Sequence, residues 1–331
     1  MTSLDSLQQR QINLTHAYVV NNAALSSPDW KNMKNPSPNQ VKDNILTRLN
    51  GSKVGGGYGV AWGPALVPDG EHVAHITVVL VGGQNENDIV VVTSGTLADS
   101  LKDQIDDLDI SPMVPLQNLI KNCPVPAHLA QGTADGVKAI LDQVSTIGFQ
   151  GTLCDFLAKQ RSGATIRLVG HSLGGALMSV LALYLKDKFS NFNFHCETIA
   201  APTAGDGIFA SYFNQQMAGN ALRIYNTLDV VPMAWCATSL DFSLTLYEPT
   251  NVIDEKMKEM VCSKIDTVTR NNLNYTQWGM GGANMELRLC GKPQSPCPSY
   301  EAQSGYQHIY EYMTLLGLQL GDIPMPPPSG S

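Results

Sequence analysis

The stretch TIRLVGHSLGGALMS, residues 165–179, decides how the rest of the chain is read. Its first five residues, Thr165 to Val169, are β-branched or apolar apart from Arg167 and form a short strand; from Gly174 to Phe189 the chain reads as an apolar helix. Between them, Gly170, Ser172 and Gly174 make a G-x-S-x-G pattern. In that context the pattern has a mechanical meaning. A sharp strand-to-helix turn lifts a serine hydroxyl above the end of a sheet, and it needs small residues where the backbone crowds. The helix start also turns its free N–H groups and positive dipole end toward the reacting oxygen. Ser172 is therefore the candidate nucleophile.

Working outward, the runs His75 to Val81 and Ile89 to Thr93 read as neighbouring strands, and Cys196 to Ala200 and Leu222 to Asn226 as two more, separated by a helix near Ile208 to Ala218. Residues 4–25 and Val41 to Leu49 read as helices, while Gly55, Gly56, Gly57 and Gly59 lack the ending of a phosphate loop and read as a turn. Strands alternating with helices imply a mostly parallel sheet covered on both faces. The expected fold is α/β-hydrolase, with a mostly parallel central sheet flanked by helices. No repeat and no clean linker divides residues 1–331, so one domain is expected.

A serine hydroxyl is a weak nucleophile without a base. In the α/β-hydrolase order the serine is followed by the acid and then the histidine. Only His195 and His308 follow Ser172. His195 opens the next strand, at the end away from the site, which leaves His308 in the segment Gly305 to Tyr312. The acid must lie between them, at the carboxyl end of a strand. Asp229 follows the strand Leu222 to Asn226 directly and is preferred; Asp206, after the intervening strand, is the runner-up.

These residues resemble a family. Gly170 to Gly175 (GHSLGG), Ala201 to Asp206 (APTAGD) and Arg223 to Pro232 (RIYNTLDVVP) look like the fungal-type class 3 lipases, over roughly Ile89 to Trp235 and again over Gln307 to Tyr312. The resemblance implies an oxyanion donor after an early strand, which falls on Thr96 behind Gly95; the N–H of Leu173, next after the nucleophile, would complete the oxyanion hole. The family's usual Arg before that glycine is Ser94 here, and its common aromatic is Ser100. The resemblance also implies a lid at residues 103–126. There Ser111 and Pro112 read as the start of a helix with Met113, Leu116, Leu119 and Ile120 near one face.

Composition bounds what remains. Of 331 residues 43% are hydrophobic and only 15% charged, with a net charge of −8 and no basic block, against a nucleic-acid partner or capture by anionic membranes. No apolar run reaches the roughly 18 residues of a membrane span, so a soluble protein is expected. No secretory signal is legible in the given sequence, which reads as cytoplasmic as it stands, or as secreted had a signal been removed. The seven cysteines fit no zinc site; Cys290 and Cys297 could bridge in an oxidising compartment. The acidic residues Asp103, Asp106, Asp107 and Asp109 lack the pattern of a calcium loop, and His72 and His75 point to opposite faces of a strand. No metal or organic cofactor is implied.

Asp229 and His308 are 79 residues apart. This interval holds an insertion at 237–300, expected to contain a strand at Ser243 to Tyr247 and a charged helix near Asp254 to Lys264 and to border the active-site face. The sequence thus points to a serine hydrolase of carboxylic esters, acylglycerols first, acting on a lipid or small ester, in the family's manner at a lipid–water interface. Its alternatives are a phospholipase A1, a short-chain carboxylesterase, and an inactive lipid-binding protein.

Overall fold

The computed structural model describes residues 6–82, 88–95, 110–280 and 284–328. Seven strands form the central sheet: β1 (Tyr58–Asp69), β2 (His72–Gly82), β3 (Asp88–Thr93), β8 (Thr165–His171), β9 (Asn193–Ile199), β10 (Ala221–Asn226) and β11 (Glu286–Leu289), in the spatial order β1-β2-β3-β8-β9-β10-β11. β1, β2 and β3 pair antiparallel, and every pair from β3 to β11 is parallel. Two small two-stranded sheets lie outside it, β4 (Met113–Pro115) with β5 (His128–Ala130) and β6 (Val144–Ser145) with β7 (Gly151–Thr152).

The sheet is apolar on both faces, so both must be covered. Along β3 the side chains alternate as a strand dictates: Ile89 and Val91 enter one core, Val90 and Val92 the other. The first core is closed by α3 (Gln131–Asp142), α4 (Leu153–Leu157), α5 (Leu173–Lys188) and α6 (Gly207–Gln216), through residues such as Val137, Leu157, Leu177, Leu181 and Phe213. The second is closed by α1 (Ser6–Asn21), α2 (Pro38–Gly51) and a late helix, α9 (Tyr300–Leu315), through Leu14, Tyr18, Ile45, Leu49 and Tyr312. At about 1.5–3 kcal/mol for each large aliphatic side chain removed from water, these two layers supply most of the drive to fold. Two further helices, α7 (Ala237–Ser243) and α8 (Glu255–Arg270), pack another apolar layer beside the sheet, around Trp235, Leu240, Met257 and Val261.

The strands and helices around residues 165–226 follow the sequence expectation within a few residues. Four features differ. β1 is a full strand of 12 residues, although Gly59, Gly63, Pro64 and Pro68 make that stretch look like turn; register shifts along its pairing with β2 absorb them. Ser243 to Tyr247 is the end of α7 and the turns after it, not a strand. The expected insertion instead contributes the edge strand β11, whose polar Glu286 and Arg288 hid it from a hydrophobic reading. Finally, Ser111 and Pro112 start no helix: Met113–Pro115 pairs with β5, and Leu116 and Ile120 lie in the first core. Residues 103–109 of the expected lid, with the acidic cluster there, lie outside the described residues. All seven cysteines are free, Cys290 and Cys297 included.

Candidate active site

β8 ends at His171 and α5 begins at Leu173, leaving Ser172 alone in the turn with φ of 56° and ψ of −135°. A non-glycine residue in that region is strained, and the surrounding backbone must hold it there. Its N–H donates to the carbonyl of Ile199 at the end of β9, and its carbonyl accepts from the Gly175 N–H. The flanking glycines are a packing requirement: a Cβ on Gly170 would lie 2.3 Å from the Gly174 carbonyl oxygen, and one on Gly174 would lie 2.6 Å from the carbonyl oxygen of Thr93.

The structure brings Ser172, His308 and Asp229 together. His308 Nε2 is 3.0 Å from Ser172 Oγ, and its Nδ1 lies 2.9 Å from Asp229 Oδ2 and 3.1 Å from Oδ1. All three residues are buried. With the Asp229 carboxylate at Nδ1, that nitrogen carries the proton and Nε2 turns its lone pair to the serine, the arrangement a general base requires. Asp229 Oδ1 also accepts from the Val231 N–H at 3.0 Å, and Oδ2 from the Tyr312 hydroxyl at 2.9 Å. Burial and the Asp229 charge push the Tyr312 phenol well above its usual range, so it stays a donor. His308 sits within α9, which Ser299 caps, rather than at a loop-to-helix junction. Gln307 beside it binds Asn226 at the end of β10 and the Lys292 carbonyl, tying the helix to the sheet.

The other expected positions fall out clearly. Asp206 is the N-cap of α6, accepting from the Phe209 N–H, and lies against His128; it hydrogen-bonds to neither Ser172 nor His308. His195 lies within β9, opposite Arg167 of β8. Leu173 is the first residue of α5, where helical bonding leaves the N–H over for another acceptor. Gly95 runs alongside: a Cβ there would stand 3.1 Å from Ser172 Cβ and 3.6 Å from the Leu173 nitrogen. Thr96, the next residue, lies outside the described residues, as does Ser100. Ser94 ties the loop to β2 in place of an arginine: its N–H donates to the Ile76 carbonyl, and its Oγ accepts from the Ile76 N–H, both at 2.9 Å. Among the described residues no group of three or more His, Cys, Asp or Glu is placed to hold a metal ion, and no helix is long and apolar enough to cross a membrane.

Three contacts escaped the sequence reading. Tyr312 was detectable, since it lies one helical turn after His308 and shares its face. Asn226 and Gln307 were not, because their pairing joins segments 81 residues apart.

Residues 90–238 match the sequence model of the lipase (class 3) family. Among solved structures, the chain is similar to that titled M37 lipase, with a TM-score of 0.83 at 24% identity over 97% of this chain and 94% of that one. It is also similar to the nonglycosylated LIP2 lipase of Yarrowia lipolytica, with a TM-score of 0.50 at 18% identity over 70% of this chain and 75% of that one. These likenesses agree on the fold, a mostly parallel sheet flanked by helices. No curated protein matches the chain.

Proposed function

We propose that the chain, whose residues 90–238 match the lipase (class 3) family model, is a carboxylic ester hydrolase that cleaves acylglycerol esters through an acyl-enzyme on Ser172. In this reading Ser172 Oγ attacks the ester carbonyl carbon and gives its proton to His308 Nε2. Asp229 holds the imidazole and stabilises its charged form. The tetrahedral oxyanion is held by the Leu173 N–H together with Thr96. As the intermediate collapses, the departing alkoxide takes the proton back from His308. Water, activated by the same nitrogen, then releases the fatty acid and restores the serine.

The observation that carries this reading is the continuous hydrogen-bonded line from Ser172 Oγ through His308 to Asp229, starting from a serine held at positive φ. The insertion at 237–300 supports a role in shaping the acyl site. Tyr247 donates to the Leu228 carbonyl beside the acid, and an apolar cavity lined by Val230, Trp235, Leu240, Met257 and Val261 adjoins the acid loop. Residues 110–126 do not support a mobile apolar helix, because Leu116 and Ile120 are core.

The test is hydrolysis of p-nitrophenyl esters of graded chain length by the wild type and by Ser172→Ala. The wild type should turn over, and the variant should lose roughly 10⁴-fold or more in kcat. Equal rates in the two would overturn the assignment; a rate confined to acetate and butyrate esters would replace the lipase reading with a short-chain esterase.

A further inference from the structure

Asn21 is the last residue of α1, far outside the segment that matches the family and about 150 residues from the nucleophile in sequence. Its side chain nevertheless stands between two parts of the active site. Its Oδ1 accepts from the Gly95 N–H at 2.7 Å, and its Nδ2 lies 3.1 Å from His171 Nδ1. The opposite nitrogen of that ring, Nε2, lies 2.9 Å from the His308 carbonyl oxygen.

The proton inventory of this chain is forced. A backbone N–H can only donate, so the asparagine oxygen must face Gly95 and its amide nitrogen must face His171. That amide can only donate, so His171 Nδ1 must be the bare nitrogen. The ring's one proton then sits on Nε2, where it meets a carbonyl that can only accept. Every link has one chemically allowed polarity, and all of them agree. The ring is neutral as this requires: full burial and the neighbouring His308 hold its pKa well below the usual histidine range. Tyr18, one turn before Asn21 on α1, packs edge-on against the same ring with centroids 4.9 Å apart, and its hydroxyl donates to the Ile309 carbonyl next to His308.

We propose that Asn21 is a positioning residue for ester hydrolysis, setting the Gly95 peptide that precedes the oxyanion donor and, through His171, the backbone of the catalytic histidine. This rests on the reading of Ser172 and His308 given above. The two groups it joins must keep a fixed spacing, because the oxyanion donor and the base act on opposite ends of one tetrahedral centre. A link from each to a common side chain fixes that spacing more directly than their separate strands and helices do. Asn21 itself touches neither serine nor His308 side chain, so it acts on the transition state rather than on substrate capture.

The experiment compares wild type and Asn21→Ala in kcat and KM on a p-nitrophenyl ester, with active sites counted by a fluorophosphonate and unfolding followed by urea. Affinity for an alkyl boronic acid, which forms a tetrahedral adduct on the serine, is measured alongside. The loss of these part-buried bonds should lower kcat per titrated site by about 10- to 100-fold and weaken the boronic acid in parallel, with KM held within about twofold. A lower urea midpoint with an unchanged kcat per site would overturn the proposal, as would a loss carried by KM alone. If Asn21→Ala does not fold, Asn21→Leu, which keeps the branched shape but offers neither the oxygen for Gly95 nor the amide for His171, asks the same question; a wild-type kcat there overturns it too. A wild type that neither hydrolyses esters nor reacts with the fluorophosphonate would instead sink the reading of the site itself.

Discussion

The strands β8 and β9 carry polar side chains in two places, and the two are built on opposite terms. At their carboxyl ends, Ser172, His308, Asp229 and Tyr312 are buried with each polar group bonded in a direction its chemistry allows. Lower on the same strands, under α1, lie Arg167 and Glu197, with His16 of α1 close to Arg167. Arg167 pairs with Asp88 but its Nε has no partner, Glu197 Oε1 is enclosed without one, and neither ring nitrogen of His16 makes a well-formed bond. Burial holds His16 down to about 3, with Arg167 pushing the same way and the Gly55 backbone offsetting part of it. The lesson is that burial alone does not mark a site. What separates the catalytic end is convergence: donors and acceptors aimed at one serine. The lower cluster converges on nothing and is a cost to stability.

The sharpest way to break the catalytic end is Asp229→Asn. The amide would turn a donor toward His308 Nδ1 or force the imidazole into the wrong tautomer, while keeping the shape of the side chain. A fall of about 10⁴-fold in kcat is expected, with the urea midpoint changed far less than activity. A kcat within tenfold of wild type would remove Asp229 from the triad and reopen the choice of acid.

The lower cluster should respond in the opposite sense, by gaining stability when a charge is deleted. Burial raises the Glu197 pKa from 4.5 to about 7, against a hydrogen bond from Asn13 and the charges of Arg10 and Arg167. Because the folded pKa is the higher one, the stability this group contributes is full below about pH 4.5 and is lost as the pH rises through about 7. The shift corresponds to as much as about 3 kcal/mol. Glu197→Gln has no such titration. Its urea stability relative to wild type should therefore climb by up to that amount between pH 4.5 and pH 8, with little change in kcat. His16 and His75, both held low by burial, cost stability in the other direction as the pH falls below about 6.5. They are common to both proteins and cancel in the comparison. Parallel pH profiles for the two proteins would show that Glu197 is not buried as a charge.

The two ends also differ in how far the sequence reveals them. Ser172 announces itself because a strand, three small residues and a helix are all local. His308 and Asp229 follow from chain order and from the rule that such sheets place their chemistry at strand ends. Asn21 and His171 could not be found this way, since their link depends on where the end of α1 lands on the sheet, which no local pattern encodes. β1 was hidden by glycines and prolines that its bulged pairing tolerates, and β11 by its four-residue length, in which only Leu287 and Leu289 alternate with the polar Glu286 and Arg288. The segment at Ser111 misled for the converse reason: Met113, Leu116 and Ile120 repeat at helical spacing, but tertiary pairing with His128–Ala130 takes the first of them into a strand. The surroundings of Arg167 and Glu197 are likewise set by the placement of α1 over that face, not by any local pattern.

Tyr312→Phe tests the comparison most finely, because it should make the catalytic end resemble the lower one. The hydroxyl donates to Asp229 Oδ2 and accepts from the Asn226 N–H, both at 2.9 Å and both buried. Without it, a main-chain donor at the end of β10 is left without a partner, at a cost of about 1–3 kcal/mol, while Asp229 keeps His308 and the Val231 N–H. Stability should therefore fall by that amount and kcat by less than about tenfold, read from urea melts and ester kinetics on the same preparation. The ordering of the two losses is the point. If kcat collapses as it does in Asp229→Asn while stability holds, Tyr312 acts in the chemistry itself; if both stay at wild-type values, bonding at the catalytic end is no more consequential than at the cluster beneath α1.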